Sequence, residues 1–225
     1  MKQEKIREIN KKLRNYYGEP ERMEYESGIH ILVETILSQN TNDVNRDKAF
    51  DNLLNTYEDW EKVEDAPEDE LIDVIRVAGL GPTKASRIQE ALEIVREQEG
   101  EYSIKFLKEK SVEDAKRWLT EIPGIGPKTA SVILCFHFGM STIPVDTHVH
   151  RVSKRLGIVP DSSSRRKTHD ILEEKVPDGI KYQFHILLIE HGREHCKARN
   201  PTCCEGPLAE ECRLCGNGKQ LNPEN

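Results

Sequence analysis

"EIPGIGPKTASVI", residues 121–133, holds the question on which the reading of this chain turns. The stretch closes one helix, makes a Gly-Ile-Gly turn and opens a second helix at Pro127, leaving Lys128 in the new helix's first turn. The glycines, Gly124 and Gly126, permit a sharp turn with exposed amides, and the proline presets φ for the next helix. Such a start points unpaired N–H groups and the positive end of a helix dipole outward, where an anion fits. Lys128 is then a surface charge, a phosphate holder or a nucleophile.

An internal repeat supplies a control. "AGLGPTKAS" (78–86) aligns with "PGIGPKTAS" (123–131) at an offset of 45 residues. Both copies read as helix, Gly-apolar-Gly, proline, helix, and two helix corners packed in a core would read the same way. At the position of Lys128 the first copy carries Thr83, and its lysine falls one residue later, at Lys84. One residue is about 100° around a helix, so the two lysines point in different directions. The motif therefore does not dictate where Lys128 sits. A nucleotide-binding P-loop is disfavoured, because "GIGPKT" lacks a glycine directly before the lysine and no βαβ pattern surrounds it.

Working outward, helical periodicity dominates the 225 residues. It predicts helices near 2–16, 28–38, 43–56, 67–77, 82–98, 112–121, 127–138, 147–156, 165–175 and 179–192. Pro67, Pro82 and Pro127 stand where a first-turn proline is tolerated, and Ser111 with Asp114 resembles a capping pair. Alternation is confined to the short STIPV before Asp146, so the fold class is all-α. After about residue 195 the periodicity gives way to a Cys/Pro/Gly loop, and residues 216–225 read as a frayed tail.

Hydrophobic residues make up 36% of the chain and no apolar run approaches the eighteen or so residues of a membrane span. The opening MKQEKIREINKKLRNYY reads as an amphipathic helix and lacks the apolar stretch of a signal peptide. The expectation is a cytoplasmic monomer without a membrane partner. The net charge of −7 is unevenly spread: residues 41–75 hold twelve acids and three bases, whereas residues 141–200 hold eleven bases and eight acids. The second, mildly basic flank is compatible with a nucleic-acid partner, and equally with solvated helix faces. A duplex phosphate suits the second hairpin.

A lysine attacks as an amine only when neutral, and its reference pKa is about 10.4. Burial and the positive end of a helix both disfavour the ammonium form, which is one route to activation. A twelve-residue helix from 127 to 138 advances roughly 18 Å. The seven residues of GMSTIPV span up to roughly 23–25 Å extended, enough for the chain to return and set Asp146 beside Lys128. Asp146 also precedes Thr147 at a predicted helix start, where it would cap the helix.

A Gly-apolar-Gly hairpin followed by Lys128, then the Asp of "VDTHVHRV" eighteen residues later, then a terminal cysteine cluster, resembles the endonuclease III family of helix-hairpin-helix DNA glycosylases. The resemblance covers residues 28 to 215. It implies two α-helical lobes with double-stranded DNA bound across the cleft between them: residues 27–140 with both hairpins, and residues 1–26 with 141–215. It also implies nucleoid association, removal of oxidised pyrimidines and strand cleavage at the abasic site. Lys128 matches the family's Schiff-base lysine and Asp146 its catalytic aspartate. "ILSQNTND" (36–43) matches the segment that fills the gap left by an everted base, with Gln39 and Asn40 both open for that place. Leu80 matches the apolar wedge on the opposite strand; alone, it reads equally well as a buried turn leucine. Gly124, Gly126 and Thr129 would meet backbone phosphate, as would His148 and Arg151, which read otherwise as helix surface. A glycosylase of the same fold for mismatched thymine, uracil or alkylated bases is the alternative. A non-catalytic DNA-binding scaffold is disfavoured by the pairing of Lys128 with Asp146.

Five of the six cysteines crowd into residues 196–215, and crowding in an unexported chain favours metal over cystines. The family pattern is C-x6-C-x2-C-x5-C around a [4Fe–4S] cluster. Cys196, Cys203 and Cys212 fit it, but the remaining position is Gly206, so the fourth ligand is Cys215, completing C-x6-C-x8-C-x2-C, or else Cys204. Adjacent residues 203 and 204 project apart, which favours Cys215. Four thiolates also suit tetrahedral zinc. The cluster's expected role is to pin a loop bearing Lys197 and Arg199 against DNA phosphate. Cys135, on the apolar face of "ASVILCF", reads as core.

Overall fold

Helix starts are set by side chains that the sequence marks. Ser27, Asn42, Asp59, Ser111, Asp146 and Ser164 each precede a helix, and each side-chain oxygen accepts the backbone N–H three residues on. Each such cap contributes about 1 kcal/mol. The computed structural model describes residues 2–22 and 27–215, so the expected tail at 216–225 lies outside the described residues. The helices are α1 (Gln3–Tyr17), α2 (Gly28–Leu37), α3 (Asp43–Thr56), α4 (Trp60–Glu64), α5 (Glu68–Ile75), α6 (Gly81–Glu99), α7 (Val112–Glu121), α8 (Pro127–Phe136), α9 (Thr147–Arg155), α10 (Arg165–Lys175) and α11 (Lys181–Glu194). Short 3-10 turns occur at Arg76–Ala78, Lys105–Glu109, Asp178–Ile180 and Cys203–Glu205. No strand occurs among the described residues, and STIPV has no regular secondary structure. Helix α4 escapes the periodicity reading because its five residues are less than two turns; Asp59 is its only local signal. No helix among the described residues is long and apolar enough to cross a membrane.

The chain divides into two compact units, Met23–Phe138 and Met1–Arg22 with Gly139–Asn225. In the first, α2 (GIHILVETIL) is apolar on nearly every side and buries Ile29, Ile31, Leu32, Val33, Ile36 and Leu37. A helix apolar all round belongs at the centre. Helices α3, α6 and α8 pack on it, α5 packs on α3 and α6, and α7 packs on α8. Full burial of each such side chain contributes about 1.5–3 kcal/mol, so this unit is a firm frame for the two Gly-x-Gly turns, which open α6 and α8.

In the second unit, α1 presents Ile6, Ile9 and Leu13 on one stripe and packs on α11, whose Phe184, Leu187 and Leu188 share the core with Val149 and Val152 of α9. Leu208, from the cysteine loop, joins the same core. Lys12 and Lys5 reach Glu211 at 2.8 and 3.3 Å, tying the end of that loop to α1. Burial pushes the Glu211 carboxyl up, but the hydrogen bonds from Lys12 and Lys5 outweigh it and hold the group below the usual carboxylate range.

Candidate active site

In the first unit the second hairpin is held from two directions. Gly124 has φ +84°, and a Cβ there would lie 2.5 Å from Cδ of Arg87, which crosses the turn from α6. Gln39 Nε2 donates to the Gly124 carbonyl at 2.9 Å, and Arg87 Nη1 donates to Gln39 Oε1 at 2.7 Å. The side-chain amide of Gln39 is thus engaged at both ends within the unit. Gly126 precedes α8, no side chain caps that helix, and nothing lies within 4 Å of where its Cβ would be. The N-terminus of α8 is therefore open, with Lys128 exposed and Thr129 half-buried beside it. Lys128 thus stands at the positive end of a helix, and the protein does not bury it.

Asn40 and Leu80 share an unusual property. Their φ angles are +53° and +55°, the only positive values for non-glycine residues described in this unit. A left-handed conformation costs a branched residue such as leucine roughly 1–2 kcal/mol. Leu80 is also 54% exposed, so no burial offsets that strain. Strain without local compensation is a mark of function. An open groove of about 580 Å³ runs between the two turns, lined by Asn40, Thr41, Asn42 and Asn45 on one side and Val77, Ala78 and Gly79 on the other. The groove and its asparagines were not legible in the sequence; the one hint is the density of Asn between 40 and 45.

In the second unit Asp146 does act as a helix cap: Oδ1 accepts the Val149 N–H at 2.7 Å. The residue is half-buried, and only one of its oxygens is used by the cap. Arg151, expected at phosphate, turns inward. Its Nε donates to the Cys196 carbonyl at 2.7 Å and its Nη2 to the Gly192 carbonyl at 2.8 Å, and Nη2 also lies 3.0 Å from Nδ1 of His148. His148 is packed against Gly192. This pair joins α9 to the end of α11 and the start of the cysteine loop. Arg155 holds the next loop residues through the Lys197 carbonyl at 2.7 Å, which leaves the Lys197 and Arg199 side chains exposed.

Cys196, Cys203 and Cys212 are buried thiols. The Sγ atoms of Cys203, Cys212 and Cys215 lie within 4.8 Å of one another, and Cys196 Sγ accepts from Arg155 Nη1 at 3.3 Å. Burial, then the neighbouring Cys212, push the Cys203 thiol up to about 12. Packed thiols of this kind hold their protons until a cation replaces them. A soft donor set, dry and convergent, fits a metal centre. One feature runs against the expectation of metal in place of cystines: Cys204 and Cys215 form a disulfide, with Cα atoms 5.4 Å apart. Cys215 therefore sits where it reaches both the buried thiols and the exposed Cys204, and binding a metal with it requires that bond to be reduced. Cys135 is buried in the first unit.

Residues 33–178 match the HhH-GPD superfamily of base excision DNA repair proteins. The chain is 38% identical over 197 residues to a candidate DNA glycosylase of Arabidopsis thaliana, covering 86% of this chain and 67% of that one. It is 34% identical to endonuclease III of Thermotoga maritima, over 85% of this chain and 87% of the relative. Identity to the Bacillus subtilis endonuclease III is 36%, over 81% and 80%. Among solved structures, a trapped endonuclease III–DNA covalent intermediate superposes with a TM-score of 0.78 at 29% identity, covering 95% of this chain and 96% of that one.

Proposed function

We propose that this chain, which belongs to the HhH-GPD superfamily of base excision DNA repair proteins and within it to the endonuclease III family, removes damaged bases from duplex DNA and then nicks the strand. It is a bifunctional DNA glycosylase and abasic-site lyase, and its preferred substrates are oxidised pyrimidines. The observation that carries this reading is the exposed primary amine of Lys128 in the first turn of an uncapped helix. The open N–H groups of that helix and of the Gly124–Gly126 turn take a backbone phosphate. The damaged nucleotide is rotated out of the stack, because C1′ is unreachable inside a duplex. Asn40 and Leu80, both exposed and held at positive φ, occupy the space it leaves; Gln39 holds the hairpin.

The neutral amine of Lys128 attacks C1′ as the C1′–base bond breaks, the electron pair leaving with the base. The Asp146 carboxylate supplies negative charge to the sugar as positive charge builds on it. After the sugar ring opens, the C1′–nitrogen bond becomes an imine. Loss of a 2′ proton sends electrons into the imine and expels the 3′ phosphate, and water then releases Lys128. Cys196, Cys203, Cys212 and Cys215 would hold a [4Fe–4S] cluster, which the family likeness favours over zinc. It has a structural role, presenting Lys197 and Arg199 to phosphate, and supplies no step of the reaction.

Borohydride reduction tests the covalent step. Wild-type protein gives a trapped adduct with abasic DNA and Lys128→Gln gives none; an undiminished adduct from the variant overturns the assignment. Duplexes carrying thymine glycol, uracil or a G·T mismatch separate oxidised pyrimidines from the alternative substrates. A brown, iron-containing protein purified without oxygen is expected, and a colourless zinc protein refutes the cluster.

A further inference from the structure

Lys84 is the least exposed lysine or arginine among the described residues, at 1%. It forms no ion pair with any described carboxylate. Burying an unpaired ammonium costs several kcal/mol, and a methionine would fill the same space without that cost. Burial holds the Lys84 amine below the ordinary lysine range. What the ammonium does instead is donate to two backbone carbonyls, Leu37 at 2.7 Å and Ala78 at 2.8 Å. Both end a helical segment, Leu37 closing α2 and Ala78 closing the 3-10 turn after α5. Each carries the negative end of a local dipole, which a cation satisfies. Each carbonyl also stands just before one of the strained turns. Asn40 lies three residues past Leu37 and Leu80 two residues past Ala78, and these are the two positive-φ non-glycine residues of the unit: Asn40 lines one side of the groove, and Ala78 and Gly79, directly before Leu80, line the other.

We propose that Lys84 is a positioning residue: one buried ammonium, bonded to the Leu37 and Ala78 carbonyls, fixes the spacing of the Asn40 and Leu80 turns so that both enter a duplex together. The inference rests on the base-everting function proposed above and adds to it a part that touches neither DNA nor the reacting sugar. Lys84 acts on the opened duplex only through the two turns, so its removal has an effect only while those turns carry their side chains.

A comparison of backgrounds tests this. Lys84→Met is made in the wild-type chain and in an Asn40→Ala/Leu80→Ala chain, and each protein is checked for a cooperative thermal transition. Two readouts are taken on a thymine glycol duplex: single-turnover base excision, and emission from 2-aminopurine beside the lesion, which rises when the stack opens. In the wild-type background Lys84→Met lowers both by about tenfold or more, the scale for a small misplacement of working groups. In the double-alanine background it lowers them less than about twofold. An equal factor in both backgrounds shows a merely structural role and overturns the proposal. Should the methionine variant not fold, Lys84→Gln, which keeps an N–H donor, is read against the same two backgrounds and is expected to fall between wild type and the double-alanine chain. If wild-type protein itself neither excises nor raises the emission, the functional reading fails and takes this inference with it. A wild type that does both while Lys84→Met matches it sinks the inference alone.

Discussion

The two hairpins of the first unit differ by an exchange of neighbours, Thr83-Lys84 in one and Lys128-Thr129 in the other. In both, the residue after the proline is exposed: Thr83 in the first copy, Lys128 in the second. The next residue turns inward, fully for Lys84 and halfway for Thr129. A rotation of about 100° thus converts the same ammonium from a buried strut into an outward amine. The first copy shows what this scaffold does with an inward lysine, and that role has no chemistry in it. Exposure, not the motif, is what separates Lys128 from Lys84.

The sharpest way to break this contrast is to impose the first copy's order on the second. In the exchange Lys128→Thr with Thr129→Lys, composition and charge are unchanged and the helix start is kept. The borohydride adduct is expected to fall by about a hundredfold or more, because a displacement of even about an ångström costs a reacting group that much and the exchange turns the amine inward. Retention of adduct within a few-fold would mean that any lysine in this turn serves, and the distinction between the copies would lose its meaning.

A smaller effect separates the turns themselves. Gly79 and Gly124 occupy matching places and both have positive φ, +71° and +84°. A Cβ at Gly79 meets nothing within 4 Å, whereas one at Gly124 meets Arg87 Cδ at 2.5 Å. Gly79 has ψ 162°, a region that only glycine adopts freely, so Gly79→Ala adds backbone strain alone, about 1–3 kcal/mol. Gly124→Ala adds to positive-φ strain the displacement of Arg87 and its bond to Gln39, about 1 kcal/mol more. Chemical denaturation of the two variants reads the difference, and equal losses would show that Arg87 yields freely.

Much of this was legible in the sequence because the governing interactions are local. Caps at Ser111 and Asp146 act over three residues, the α1 stripe over eight, and the Thr83/Lys128 register comes from helix geometry alone. What stayed hidden depends on partners far along the chain. Gln39 meets Arg87 and Gly124, which lie 48 and 85 positions away, so no local pattern could choose between Gln39 and Asn40 for the gap. Arg151 reaches Cys196 and Gly192, and on a helix surface pattern it looks no different from a free phosphate ligand. The spacing groups Cys203, Cys212 and Cys215, whose Sγ atoms lie within 4.8 Å of one another, but spacing cannot say that Cys215 is also bonded to Cys204. The positive φ of Leu80 is a backbone property that its residue type gives no warning of.

The bridge between the copies yields the smallest effect and the most direct reading of Gln39. Arg87 belongs to the helix that the first hairpin opens, yet it crosses the turn of the second, with Gln39 bonded to both. If Gln39 works by holding that turn, Gln39→Ala and Arg87→Ala are coupled: each alone costs about 0.5–1.5 kcal/mol, and the double variant costs distinctly less than the sum. Binding to duplex DNA with a stable abasic analogue should show the same non-additive pattern, since each change loosens the same amides at the start of α8. If Gln39 instead enters the duplex, its loss weakens the complex while stability is untouched and Arg87→Ala adds independently. Additive losses would give the gap-filling place to Gln39, leaving Asn40 as an exposed turn residue.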